Sequence, residues 1–141
     1  MGRHKDILKL ARMEIVVLLL FVPMKLLRPF IMEHTDIEWV HIFFLSFPNL
    51  AEGIIGVLTS TMLVLVIRNR YHVEFLTDHV IYMIAVLFSA VYVLLQEFKV
   101  HNLGGNNVYD FNDVVFSIIG LIIGFSMIWT LGPTIKEDAL Q

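Results

Sequence analysis

Residues 113–131 read DVVFSIIGLIIGFSMIWTL, and this stretch decides the fold class. Its only charged residue is Asp113, at the first position, and it ends immediately before Gly132-Pro133, a pair that typically terminates helices. A helix needs about 20 mostly apolar residues to cross the hydrocarbon core of a bilayer. The stretch therefore predicts a transmembrane helix.

The composition extends this interpretation to the whole chain. Of its 141 residues, 57% are hydrophobic and 16% are charged, whereas soluble domains carry about 25% charged residues. We predict an all-α, polytopic membrane bundle that forms a single domain over residues 1–141. Its four transmembrane helices are expected at approximately residues 7–27, 48–67, 75–95 and 113–131.

Two segments near the N-terminus need a more specific interpretation. Residues 7–27 have only a short uncharged run and contain Pro23, which is expected to kink the helix. They lack a small-x-small cleavage site, so we interpret them as a retained helix rather than a signal peptide. Residues 37–47 are rich in aromatic side chains but too short to cross a bilayer. They predict either a short interfacial helix or a lead-in to the second span, with Pro48 in its first turn.

Charge and residue usage limit the classes of function. The chain has no cysteine, which excludes disulfides and cysteine zinc sites, and its net charge of −3 gives no support for nucleic-acid binding. No two histidines have the i, i+4 spacing of a helical zinc site, so we predict no metal and no cofactor. Most Lys and Arg residues lie in the N-terminal segment, the second connection and the tail. This bias predicts an inner (cytoplasmic) membrane protein with both termini in the cytoplasm.

With this orientation, polar residues from three helices are expected to meet near the outer leaflet. The spacing of Asp110, Asp113, Ser117, Gly120 and Gly124 places them on one helical face. Carboxylates in a membrane helix are costly unless protein or water surrounds them, so they mark a candidate site. The candidate ligand-binding residues are Asn49, Glu52, Gln96, Glu97, Asp110, Asp113 and Ser117.

Simpler structural explanations remain open for several of these residues. Small residues on membrane helices are typical of packing surfaces, and the candidates for this role are Gly53, Gly56, Gly120 and Gly124. Packing through Gly120 and Gly124 would also suit a homodimer. Asp110, Asn112 or Asp113 would serve as the N-cap of the last helix.

Part of the chain, about residues 47–125, carries a motif of a known family. Glu97 is followed by a polar loop and then by Asp113-x-x-x-Ser117-x-x-Gly120-x-x-x-Gly124. This pattern resembles the VanZ-like family of small membrane proteins, in which Asn takes the place of Ser117. The resemblance implies a multi-span bundle in the cell envelope. It also implies a link to resistance against the glycopeptide teicoplanin.

Three functions fit these observations. The first is a non-catalytic envelope protein whose acidic site binds a lipid, a lipid-linked wall precursor or a glycopeptide-type ligand, since carboxylates accept hydrogen bonds from hydroxyl and amide groups. The second is an enzyme that acts on a lipid-linked substrate through carboxylate acid–base or divalent-metal chemistry. The third is a small ion or proton pathway. The expected partners are membrane lipid, an envelope precursor and further copies of the chain.

Overall fold

The structure, a computed structural model, describes the backbone of residues 3–73, 75–97 and 111–132, and side-chain contacts for residues 6–73, 75–96 and 111–132. Across these ranges the chain is all-helical, with four helices: α1 (Arg3–His34), α2 (Glu38–Tyr71), α3 (Asp78–Glu97) and α4 (Phe111–Leu131). All four are long and apolar enough to cross a membrane. The predicted membrane bundle of four transmembrane helices is therefore confirmed.

The first two helices are longer than predicted. Of the two predictions for residues 37–47, the separate interfacial helix is wrong and the lead-in to the second span is confirmed, because residues 38–47 form the first turns of α2. Pro48 consequently lies inside α2 rather than in its first turn, and α1 likewise continues through Pro23 and Pro29. With 34 residues, α2 is about 51 Å long at 1.5 Å per residue. That length exceeds the hydrocarbon thickness of about 30 Å, so α2 extends beyond the hydrocarbon core or tilts within it.

The connections between helices explain two further boundaries. α3 begins at Asp78 rather than at residue 75, because residues 75–77 form a turn. The Asp78 carboxylate accepts a hydrogen bond of 2.9 Å from the Arg68 guanidinium, which joins the ends of α2 and α3. After α4, Gly132 has a φ of +45°, a conformation that glycine adopts without steric cost and that ends the helix.

α2 is the central helix, and its contacts define the topology. It runs antiparallel to α3, because Glu52 contacts Gln96 while Arg68 contacts Asp78. It runs parallel to α4, because Gly120 lies against Leu50 and Gly124, further along α4, lies against Val57, further along α2. We call the two ends of the bundle the Glu52 end and the Arg68 end.

α1 packs against a third side of α2. The Thr59 hydroxyl of α2 donates a hydrogen bond of 2.9 Å to Glu14 of α1. Only residues 35–37 separate the two helices, so they form an antiparallel hairpin. α1 therefore begins at the Arg68 end, where α4 also finishes. Many of its apolar side chains, including Leu19 and Leu26, are exposed, as expected for a helix that faces lipid.

Candidate ligand site at the Glu52 end

One side of α2 meets α3 and ends in a polar pair. Near the middle of the contact, the hydroxyls of Ser60 and Ser89 share a hydrogen bond of 3.2 Å. A Cβ atom added to Gly56 would lie 3.3 Å from the Cβ of Ser89, so the two helices are in close contact there. Further toward the Glu52 end, the Gln96 amide donates a hydrogen bond of 2.9 Å to the Glu52 carboxylate. The contact thus brings together two of the predicted ligand-binding residues.

The Glu52–Gln96 pair is accessible from outside the protein. Gln96 is exposed and Glu52 is half-buried. A carboxylate oxygen accepts more than one hydrogen bond, and the Gln96 amide keeps its own carbonyl acceptor and a second N–H donor. The pair therefore offers several acceptors and one donor to an approaching polar group.

A different side of α2 meets α4, and here two series of residues with equal spacing face each other. The series on α2 is Ser46, Leu50, Gly53 and Val57, and the series on α4 is Asp113, Ser117, Gly120 and Gly124. A Cβ added to Gly53 would lie 2.8 Å from the Ser117 carbonyl oxygen and 3.1 Å from the carbonyl carbon of Gly120. A Cβ added to Gly124 would lie 2.9 Å from the Cβ of Val57. The helix backbones therefore touch between Leu50 and Val57 of α2. Extending the same register by one helical turn sets Ser46 opposite Asp113.

Three oxygen atoms at the Glu52 end of this contact are buried without a hydrogen-bond partner among the described residues. They are the Ser46 hydroxyl, the Ser117 hydroxyl and Oδ1 of Asp113. Ser46 is 0% exposed and Ser117 is 2% exposed. By contrast, the buried hydroxyls of Thr61 and Ser89 each donate a 2.7 Å hydrogen bond to the carbonyl four residues earlier. Buried polar atoms in proteins are nearly always paired, so these three have hydrogen-bonding capacity for a ligand or for water.

The predicted site residues therefore divide between two neighbouring contacts. Glu52 and Gln96 lie between α2 and α3, whereas Asp113 and Ser117 lie between α2 and α4. Asn49 is half-buried and precedes Glu52 by one turn. Because Glu52 and Gly53 are adjacent, the two contacts are separated by roughly 100° around α2. Two further predicted site residues, Glu97 and Asp110, are not among those whose side chains the structure describes.

Sequence reasoning missed Ser46. It falls in the stretch that was interpreted as an interfacial helix, so its position on the second span was not considered. Counting back seven residues from Gly53 along one helical face gives Ser46, which is the signal that would have found it.

The glycines lie at contacts within one chain. Gly53, Gly120 and Gly124 lie between α2 and α4, and Gly56 lies against α3. A homodimer through Gly120 and Gly124 would have to displace α2, because that face of α4 is already buried against it.

A second group of polar and aromatic residues lies at the Arg68 end. The Trp129 ring lies 5.4 Å from the His79 ring and 6.3 Å from the Tyr82 ring. A shallow, open hollow of about 300 Å³ is lined by Phe125, Ser126, Trp129 and Thr130. The Ser126 and Thr130 hydroxyls already bond to backbone carbonyls of α4, so the hollow offers little unused hydrogen-bonding capacity. Among the described residues, no group of three or more His, Asp or Glu side chains has the arrangement of a metal site.

Comparison of the chain with protein-family models, with curated proteins and with solved structures found no match. The resemblance to the VanZ-like family over about residues 47–125, which is based above all on the stretch from Tyr92 to Phe125, stays a prediction.

Proposed function

We propose that this chain is a non-catalytic integral membrane protein of the cell envelope that binds the polar headgroup of a lipid-linked wall precursor or a related lipid at the Glu52 end. The observation that supports this proposal is the hydrogen bond between Glu52 and Gln96. It joins a carboxylate and an amide from two helices at a position that is open to the outside of the protein.

The chemistry of the pair favours a ligand rich in hydroxyl or amide groups. A carboxylate accepts hydrogen bonds, and a charged acceptor forms stronger ones than a neutral acceptor does. Sugar hydroxyls and peptide N–H groups supply the matching donors. The carboxylate would repel a phosphate that came close to it, so the headgroup sugar or peptide is the part that contacts Glu52 and Gln96.

The orientation of the chain supports an extracytoplasmic ligand. The excess of Lys and Arg in the N-terminal segment, the second connection and the tail favours cytoplasmic termini in the inner membrane. α1 begins and α4 ends at the Arg68 end, so the Glu52 end would face the outer leaflet. Lipid-linked wall precursors present their sugar and peptide groups at that depth.

The direct test is binding of a defined lipid by the full chain in nanodiscs. We suggest a fluorescent lipid-linked disaccharide pentapeptide, compared with the same lipid diphosphate without its sugar. Glu52→Gln and Gln96→Leu should each weaken binding about 10-fold, the effect of losing one charge-assisted hydrogen bond of about 1.5 kcal/mol. The lipid without sugar should bind weakly to every variant.

Glu14→Gln is the matched control, because it also removes a helix carboxylate but one that faces Thr59 on another side of α2. It should leave binding of the lipid unchanged. Equal affinity of the unmodified chain, Glu52→Gln and Glu14→Gln would refute the proposal. Conversion of the lipid to a new product would show that the protein is an enzyme instead.

A role in antibiotic resistance rests on the VanZ-like resemblance and needs a test in cells. Expression of the chain should raise the teicoplanin concentration that a sensitive strain tolerates, and Glu52→Gln should remove this effect. A strain whose tolerance does not depend on the chain would show that the resemblance does not extend to resistance.

A further inference from the structure

The contact between α2 and α4 contains an oxygen-rich group that the proposed headgroup site does not use. It consists of Ser46, Asp113 and Ser117, whose buried oxygen atoms have no hydrogen-bond partner among the described residues. The two serines are buried to 98% or more, since Ser46 is 0% and Ser117 is 2% exposed. Other hydroxyls on these helices, including those of Thr61 and Ser126, bond to the carbonyl four residues earlier. Ser46 and Ser117 are therefore available for another partner.

The register of the two helices places the three residues together. α2 and α4 are parallel, and Gly53 meets Ser117 and Gly120 in direct backbone contact. Ser46 lies two turns before Gly53 on the same face, and Asp113 lies one turn before Ser117 on its face. Phe43, one turn before Ser46, and Phe116, one turn after Asp113, have ring centroids 6.1 Å apart, so the two helices are still adjacent at this level.

The donor set has the chemistry of a site for a hard cation. Its members are one carboxylate and two hydroxyl oxygens, and hard cations prefer oxygen ligands. The described Lys and Arg residues make ion pairs with Asp6 and Asp78 but not with Asp113. Asp113 as a whole is half-buried, but its Oδ1 atom is buried, and a buried carboxylate oxygen is costly without a polar or positively charged partner. One carboxylate balances one positive charge, which favours a monovalent over a divalent cation.

We infer that Asp113, Ser46 and Ser117 form a binding site for one small monovalent cation, Na⁺, between α2 and α4. The carboxylate supplies the charge and the serine hydroxyls supply neutral oxygen ligands. The direct backbone contact at Gly53 and Gly120 closes the site toward the middle of the bundle, so the cation enters from the Glu52 end. The site stabilises the packing of α4 against α2.

The test is thermal unfolding of the purified full chain, followed by tryptophan fluorescence at constant ionic strength. Choline chloride is replaced stepwise by NaCl, KCl or CaCl₂. A ligand that binds only the folded state stabilises it. Once the ligand concentration exceeds the dissociation constant, the free energy of unfolding rises with the logarithm of that concentration. NaCl should therefore raise the unfolding midpoint at lower concentrations than KCl or CaCl₂ does.

Two kinds of variant show whether the effect arises at this site. Asp113→Asn should abolish the response to Na⁺. Ser46→Ala or Ser117→Ala should shift it to higher Na⁺ concentrations, because each removes one of the three oxygen ligands. Ser126→Ala is the matched control on α4, since its hydroxyl bonds to the Ile122 carbonyl and faces away from this contact. It should respond like the unmodified chain.

Several results would overturn the inference. They are the absence of any Na⁺ response in the unmodified chain, equal responses to Na⁺ and K⁺, a stronger response to Ca²⁺, or an undiminished response in Ser117→Ala. The absence of a Na⁺ response and equal responses to Na⁺ and K⁺ are both measured on the unmodified chain. They therefore test the inference even if Asp113→Asn does not fold. Glu52→Gln should keep the Na⁺ response, so failure of the headgroup proposal and failure of the cation site are distinguishable.

Discussion

The contact between α2 and α4 predicts that a single methyl group at Gly120 will destabilise the protein. A Cβ added there would overlap the carbonyl oxygen of Leu50 and lie 3.0 Å from its carbonyl carbon and 3.1 Å from its Cα. All three atoms belong to the backbone of α2, which cannot rotate away as a side chain can. Gly120→Ala therefore requires α4 to move away from α2.

The expected size follows from two opposing effects. Overpacking of a tight contact costs about 1–3 kcal/mol. Replacing glycine by alanine inside a helix restores about 0.5–1 kcal/mol of helix propensity. The difference is about 0–2.5 kcal/mol, and because the overlap is with backbone atoms, we expect a net loss in its upper half, about 1–2.5 kcal/mol. In Gly56→Ala the added Cβ would lie 3.3 Å from the Cβ and 3.4 Å from the Oγ of Ser89. The gain in helix propensity should therefore offset the cost of this milder crowding. The free energy of unfolding should then change by less than about 0.5 kcal/mol.

The measurement is reversible unfolding of the purified chain in mixed detergent and SDS, followed by tryptophan fluorescence. Gly56→Ala is the matched control, because both changes add one methyl group to a helix glycine at an interhelical contact. The reasoning is refuted if Gly120→Ala is as stable as Gly56→Ala. That result would mean that α2 and α4 are further apart than the structure has them.

Three further predictions concern polar contacts between helices. With Glu52 and Gln96 both replaced by cysteine, a short bifunctional thiol reagent should cross-link the two helices, because the ends of the native side chains are in hydrogen-bond contact and the chain has no other cysteine. Absence of the cross-link on gel electrophoresis would contradict the α2–α3 register. The Arg68–Asp78 ion pair is partly exposed, so it should stabilise the protein only weakly. In a double-mutant cycle with Arg68→Met and Asp78→Asn, the coupling energy measured by unfolding should be below about 1 kcal/mol, and a coupling near 3 kcal/mol would contradict this expectation. Glu14→Leu removes the hydrogen bond that the Thr59 hydroxyl of α2 donates to α1, so it should lower the free energy of unfolding by about 0.5–1.5 kcal/mol. An unchanged free energy of unfolding would indicate that α1 packs in another way.

The fold class could be predicted from sequence because hydrophobic length is a local property. Each span has an apolar run long enough to cross a bilayer, and this requirement does not depend on the neighbouring helices. The helix ends could not be predicted equally well. α2 begins at Glu38, ten residues before the predicted start at Pro48, because the turns around the proline supply enough hydrogen bonds for the helix to continue through it. A rule that treats proline as a helix start therefore shortened α2.

The composition of the candidate site could be predicted only in part. Helical spacing along α4 correctly grouped Ser117, Gly120 and Gly124, which are all buried on one face. Spacing did not show that the adjacent candidates Glu52 and Gly53 face different neighbours, whereas the structure directs Glu52 toward α3 and Gly53 toward α4. Spacing gives the angle of a residue around its own helix. It does not tell which neighbouring helix occupies that angle, and a central helix has several neighbours.

The arrangement of small residues has a consequence for the hypothesis of an ion pathway. From Gly53 toward the Arg68 end, α2 and α4 are in direct contact, and the buried residues beyond include the apolar Ile54, Val57 and Ile128. The buried Thr61 hydroxyl in this part of α2 is already bonded to the Val57 carbonyl. A path for ions or protons needs polar groups or water at successive depths. Among the described residues, the buried side-chain oxygens of α2 and α4 that lack a hydrogen-bond partner lie at the Glu52 end, on Ser46, Asp113 and Ser117. Along the α2–α4 contact, the geometry therefore favours a site that is entered and left from one side over a path that crosses the membrane.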